Sequence, residues 1–440
     1  MNGDGMRVKQ AFRALLATLA LSGIAVAGAT VLAPASGAGA ASSGGSAPGV
    51  TANSITVGTI STQTGTLASN FSSLVYGEKA YFSYINAQGG VNGRKIDYKY
   101  TLDDGGNPTT FNQLANTLIN QDHVFAVTGV ATAFFSPSLF VESGIPTYGY
   151  NVTGNWANAP NLFAAGGSVE YYPAGAPEDA YVARETQKKP SIAFLAYNVA
   201  ASADACQSEE NAMKGAGYNI SYSDLKVAYP GSTVATDVQR MKQAGSNMVI
   251  SCMDVQGNVS MARAIQQYGL KMTQLWFSGN DQSTLNTNES LMQNVYFGIA
   301  HVPFTAPQSL YPGLKLYVTE MKKYEPAYVY DEIAIQGWES AALFVQGVKL
   351  AGKNLTQQAV IAADNSLTSF TAGGLTSPTN WKDAGHSGHA PPYCAAYIKV
   401  VQDKYVPALN KGENVFNCFE SISPKKNPVF PLPAGTPAPA

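Results

Sequence analysis

Three groups of residues have the types and positions to act on another molecule. Asp254 and the pair Asn280–Asp281 each follow a short apolar run that reads as a strand. In open α/β sheets the ligand crevice lies outside the carboxyl ends of the strands, so an acid or amide there can touch a bound solute. Capping the next helix is the competing role. Thr62, Thr64 and Thr66 in STQTGTLAS, and Thr132 to Ser136 in TAFFS, stand at the same kind of position. Hydroxyls and free amides at helix starts can hold a carboxylate without any Lys or Arg, which suits small anions or zwitterions. Tyr148, Tyr150, Trp156 and Tyr197, at or just beyond strand ends, are candidate walls for such a pocket.

The strongest short catalytic and phosphate signatures, GxSxG, GxxxxGK[ST] and HExxH, do not occur. His386 and His389 lie three apart in HSGH, but the flanking Gly385, Gly388, Pro391 and Pro392 favour a loop over a metal site. His123 and His301 have no evident partner and read as structural. Asp103 and Asp104 in DDGGNP resemble an acid–base pair, yet their place between a strand and a helix points to turn formation and capping. No metal, cofactor or catalytic residue is expected.

The elements that must position these groups alternate. Strands are expected at Ser54 to Ile60, Lys95 to Leu102, Val124 to Thr128 and near Ile145 to Tyr148, with helices through Gly77 to Asn86 and from Asn107–Pro108 onward. A second series follows Lys189–Pro190, with strands at Ser191 to Ala196, Leu225 to Ala228, Asn247 to Cys252, Leu275 to Ser278 and Val295 to Ile299. Helices are expected at Glu209 to Gly215, Val234 to Ala244 and Met261 to Tyr268. Parallel crossovers need helix-length connections, so each series implies a doubly wound parallel sheet with helices on both faces. A long helix near Tyr330 to Leu350 and β-like stretches at Tyr393 to Val401 and Lys404 to Val406 complete the pattern.

A chain of 440 residues exceeds one core. With 45% hydrophobic residues it is not globally disordered. The 27 basic and 29 acidic side chains nearly cancel, and no basic stripe is present, so nucleic acid is not an expected partner. Arg7, Lys9 and Arg13 before the apolar run Ala14 to Ala33 read as an export signal over residues 1–40, with cleavage options after Ala35 or Ala40. An uncleaved membrane anchor is the competing reading. Residues 41–53 read as a flexible linker and 422–440 as a disordered Pro-rich tail. Cys206, Cys252, Cys394 and Cys418 are an even set in an exported chain, so disulfides are expected, with three pairings open.

YINAQGGVNGRKI at Tyr84 to Ile96, Gly77 nine residues before Asn86, DDGGNP, TGVATAFFS at Thr128 to Ser136, SGIPTYGYN at Ser143 to Asn151 and YGLKMTQLWFSG at Tyr268 to Gly279 occur in an order and spacing that carry a resemblance. Over roughly residues 54 to 420 the chain resembles the type I solute-binding proteins of ABC importers, in particular the branched-chain amino-acid (Leu/Ile/Val) binding group. The resemblance implies a Venus-flytrap clamp: two doubly wound lobes joined by a three-stranded hinge, lobe 1 from 54–166 with 302–368 and lobe 2 from 167–301 with 369–421. It places ligand contacts near Asn70, at Thr132, Ala133 and Phe134, at Asn151, Val152 and Thr153, near Ala201–Ser202, at Asp254 and at Asn280. The acid that meets a ligand ammonium in that family falls on Asn280, with Asp281 adjacent, and the aromatic usual near Ala201 is missing. With first and third strands adjacent in such a lobe, Cys206 would pair with Cys252, leaving Cys394 for Cys418. The implied function is capture of a small polar or zwitterionic solute (an amino acid or a related amide or carboxylate) and delivery to a membrane permease. This would be done by a non-enzymatic, secreted or cell-surface monomer. A ligand-sensing module for a signalling partner is the alternative, with a secreted α/β enzyme behind it.

Overall fold

The computed structural model describes residues 47–167, 176–328, 331–383, 386, 393–410, 414–419 and 429–431. The expected leader at 1–40, linker residues 41–46, His389 and most of the tail lie outside the described residues. Among the described residues, no helix is long and apolar enough to cross a membrane.

The first series comprises β1 (Ser54–Ser61), α1 (Leu74–Ala87), β2 (Lys95–Asp103), α2 (Pro108–Asn120), β3 (Ala126–Ala131), α3 (Ser138–Ser143), β4 (Thr147–Gly149) and β5 (Leu162–Ala164). Its strands form a sheet ordered β2-β1-β3-β4-β5, parallel throughout. The second series is α4 (Ala176–Thr186), β6 (Ser191–Tyr197), α5 (Ala200–Gly215), β7 (Asn219–Val227), α6 (Val234–Gln243), β8 (Met248–Ser251), α7 (Val255–Gln267), β9 (Thr273–Trp276), α8 (Gln282–Asn288) and β10 (Val295–Ile299). Then come α9 (Pro312–Tyr324), α10 (Glu332–Ala351), α11 (Gln357–Asp364), β11 (Tyr393–Val401), β12 (Lys404–Ala408), β13 (Phe416–Phe419) and β14 (Val429–Pro431). The second sheet is parallel over β7-β6-β8-β9-β10 and continues antiparallel through β11, β13 and β14, with β12 beside β11. The protein is thus a two-lobed α/β molecule in which both lobes are doubly wound with the same 2-1-3-4-5 order.

Local sequence accounts for much of this. Asn107 caps α2 by accepting from the Thr109 and Thr110 amides, with Pro108 in the first turn where no donor is needed. Asn92 and Gly93 both take positive φ in a two-residue turn closed by reciprocal Val91 and Arg94 backbone bonds, the geometry Asn-Gly favours. The long α10 is buried on nearly all sides and crosses α1 at close range. A Cβ on Gly77 would lie 1.8 Å from the Ala334 carbonyl oxygen, and one on Gly337 would lie 2.0 Å from that of Leu74.

Several boundaries move. β3 begins at Ala126 and runs on to Ala131, because Gly129 is a strand residue whose missing side chain makes room for the buried Glu78 carboxylate. β7 starts at Asn219 rather than Leu225; it is an edge strand whose mostly half-exposed side chains hide its period. Residues 47–53 are not a free linker, since Val50 is buried and bridges to Ile55. Within the tail expected to be disordered, Val429–Pro431 pairs with β13, where an edge position tolerates proline. Trp381, assigned from sequence to the second lobe, packs against Phe163 of β5 at 5.1 Å, and the Lys382 amide donates to Leu367. The chain therefore stays with the first sheet beyond 368. Two of the segments linking the lobes run antiparallel, with His301 bridged to Thr376 and the amides of Val302 and Ser377 donating to Leu375 and Ala300.

Cys206 is bonded to Cys252 and Cys394 to Cys418. The first pair joins α5 to the end of β8, which neighbours β6, and the second spans directly opposed residues of β11 and β13.

Candidate functional site

In each parallel sheet the strand order reverses between the first and third strands, and the loops leaving these two strands diverge to open a crevice. In the first sheet these are the ends of β1 and β3, at Thr62 and Thr132. In the second they are the ends of β6 and β8, at Tyr197 and Asp254. The two crevices face each other. The Asp254 carboxylate accepts from the Tyr197 hydroxyl at 2.6 Å and from the Gly257 amide at 3.1 Å, and it reaches Asn70 of the first lobe, whose Nδ2 lies 3.4 Å away. Asp254 thus caps α7 and bridges the cleft together. Burial, then Asp254, raises the Tyr197 hydroxyl far above its ordinary pKa, so it remains a donor. Tyr229, beyond β7, packs edge-on against Tyr197 at 5.1 Å and is 39% exposed.

Two further acids, Asp281 and Asp331, lie close enough for the charge of one to act on the other. Asp281 caps α8, accepting from the Thr284 amide at 2.8 Å and its hydroxyl at 2.6 Å. Asp331 caps α10, accepting from the Ala334 amide and the Ser73 hydroxyl. Burial raises the Asp331 pKa, and the like charge of Asp281 adds to it. Beside Asp281, Asn280 is 4% exposed and its Nδ2 has no acceptor. Tyr405 fixes this turn by donating to the carbonyls of Gly279 and Asp281.

On the first-lobe side lies an apolar cluster separate from the main core. Phe71, Leu74 and Ala131 form it, with Leu67, Ala133, Tyr150, Val152 and Ile333 packed around them half-buried. Phe134 stands out from the same loop, 39% exposed.

The sequence-nominated residues divide. Asn70 and Asp254 meet across the cleft. The Asn280–Asp281 turn lies beside the start of α7, where a Cβ on Gly279 would sit 3.6 Å from Val255. Ala133 and Val152 belong to the apolar cluster, with the exposed Phe134 in the same loop as Ala133. Thr64 does not join them: its hydroxyl donates to Asp103 at 2.6 Å, and Asp103 also accepts from the Gln63, Thr64 and Gly105 amides. Burial works against the Asp103 charge, but these bonds outweigh it and its pKa falls. Thr132 is buried, with its oxygen accepting from the Phe134 amide and lying 3.2 Å from Thr62, whose proton goes to Asp104 at 2.6 Å. Ser202 is internal, accepting from the Tyr197 amide and donating to Cys252. Asn151 donates to Gly167 and Thr153 holds a buried hydroxyl without a partner. Of the four aromatics, Tyr150 and Tyr197 line the cleft. Tyr148 is in the core, donating to Asp364, and Trp156 is stacked on Phe135 at 4.1 Å. His386 sits between Phe163 and Trp381 and bonds Asn365, a packing role.

Sequence reading did not single out Tyr229, Asp331 or Phe71. Tyr229 follows a strand end, a usable signal, whereas Asp331 reaches the cleft only through the packing of α10 on α1. A separate depression of about 410 Å³, lined by Pro48, Val50, Thr56 and His123 among others, opens at the amino ends of β1 and β3, away from these groups.

A family model described as "Periplasmic binding protein" matches residues 54–404. Among curated proteins, none matches the sequence. Solved structures share the fold at low identity. A fatty acid ABC transporter substrate-binding protein from Thermomonospora curvata is 18% identical, with a TM-score of 0.72 over 89% of this chain and 97% of that one. A possible leucine/isoleucine/valine-binding protein from Rhodopirellula baltica SH 1 is 16% identical, with a TM-score of 0.67 over 81% and 96%. A branched chain amino acid ABC transporter from Thermus thermophilus with bound valine is 15% identical, with a TM-score of 0.67 over 84% and 97%.

Proposed function

The chain belongs to the periplasmic binding protein family, and from that premise we propose that it captures a small polar solute between its lobes and delivers it to a membrane permease. The observation that carries this reading is Asp254, which sits at the switch point of the second sheet and reaches Asn70, beyond the switch point of the first. A solute held there touches both lobes, so its binding energy favours the closed arrangement. Docking of that arrangement on the permease, action as a monomer outside the cytoplasm, and release of the solute unchanged complete the proposal. The low identity of the solved relatives leaves the solute itself to this chain's own residues.

The test is a metabolite screen of the purified full chain by thermal shift, followed by recovery of any stabilising compound. A ligand at 100 times its Kd stabilises a protein by about 2.7 kcal/mol, well within reach of the method. Stabilisation by a solute that is recovered intact supports the proposal. No stabilisation by any compound, or recovery of a converted product, overturns it.

A further inference from the structure

We propose that the solute taken by this cleft is an amine: a cationic nitrogen on a small apolar or aromatic body, with no carboxylate. The inference rests on the cleft-binding reading above and narrows it by charge.

The loops that leave the carboxyl ends of β1, β3, β4, β6, β7, β8 and β9 contain no Lys, Arg or His, so an anion entering the cleft meets no cation from them. Helix starts and hydroxyls are the other means of holding a carboxylate; the protein's own acids occupy those of α7, α8 and α10, while α1 and α5 begin without a side-chain cap and the Thr153 hydroxyl is unpartnered. Asp254, Asp281 and Asp331 cap α7, α8 and α10, answering the positive ends of these helices with their own charge. In the loop after β1 the Gln63 and Thr64 amides and the Thr64 hydroxyl are bound to Asp103. The Thr62 proton is committed to Asp104, and the Phe134 amide to Thr132.

What remains favours a cation. Among the described residues Asp254, Asp281 and Asp331 make no ion pair with a Lys or Arg, and a desolvated ammonium is held best by a charge-assisted bond to such a group. Tyr197 and Tyr229, in edge contact beside Asp254, add aromatic surface of the kind that attracts cations. The cluster of Phe71, Tyr150, Ala133 and Val152 gives an apolar surface for the body of the molecule. Asn280 Nδ2, buried and without an acceptor, fits a neutral oxygen such as a hydroxyl.

Calorimetric titration of the full chain with four probes at pH 7 tests this: tyramine, 3-(4-hydroxyphenyl)propanoate, L-tyrosine and ethylamine. Tyramine is expected to bind at least tenfold more tightly than each of the others. Asp254→Asn, which keeps a capping side chain and removes the charge, is expected to weaken tyramine at least tenfold, and added salt to weaken it further. Equal or tighter binding of the propanoate or of L-tyrosine overturns the inference, as does tyramine binding indifferent to Asp254→Asn. Should none of the four bind while another solute stabilises the protein, the amine inference falls and the cleft-binding reading stands. Absence of any stabilising solute ends both.

Discussion

Glu339 lies in α10 with 3% of its surface exposed, and its Oε1 accepts from the Gly166 amide at 2.9 Å. Gly166 and Gly167 both take positive φ just beyond β5. Among the described residues no Lys or Arg pairs with this carboxyl, and burial pushes its pKa from 4.5 to about 7, against a smaller lowering by the Gly166 bond. The sign follows from linkage. Below pH 4.5 the group is protonated in both states. As pH rises toward 7 the unfolded chain gives up its proton first, so stability falls across that window and is level above it. At about 1.4 kcal/mol per pKa unit, the loss from this one group reaches about 3 kcal/mol. Glu339→Gln keeps the acceptor for Gly166 and does not titrate. Urea denaturation of both proteins from pH 4 to 8 should therefore show the variant gaining about 3 kcal/mol relative to wild type between pH 4.5 and 7. Any constant cost of the buried amide shifts the whole difference and leaves its slope intact. A difference that is flat with pH would refute the reasoning.

His301 runs the other way. It is 2% exposed between the lobes, and burial lowers its pKa from 6.5 to about 4, so stability is whole above pH 6.5 and falls as pH drops toward 4. The loss reaches about 3 kcal/mol, and His301→Asn should flatten the acid limb of the wild-type curve in the same titration. Gly77→Ala and Gly337→Ala each drive a methyl group into a backbone carbonyl across the α1–α10 crossing and should cost at least about 1–3 kcal/mol by denaturant midpoint. A change within 0.5 kcal/mol for either would show that the crossing relaxes freely.

The alternation of strands and helices made both sheets legible, because a β-α-β repeat admits few other arrangements. The residues alone left three cysteine pairings open; the pairs followed from the resemblance, whose lobe order makes β6 and β8 neighbours. Elements with weak local signals were lost. The seven-residue α8 and the eight-residue α11 are too short for a helical period to stand out, and β5 has only three residues. At the site, Asp254 and Asn280–Asp281 were legible because a strand end is a local feature. The misplacement of Thr64 has a long-range cause: its donors are taken by Asp103, 39 residues away and placed beside it only by pairing of β1 with β2. Asp331 was hidden for the same reason, since nothing near it in the chain announces that α10 begins against Ser73.

The central claim is that one solute is gripped from both lobes. Its most direct test is the affinity of the stabilising solute for Asn70→Ala and for Asp254→Asn, measured by calorimetry beside wild type. Both variants should lose at least tenfold, about 1.4 kcal/mol each, because each lobe supplies part of the grip. Wild-type affinity in either variant would place the solute on one lobe alone and contradict the account.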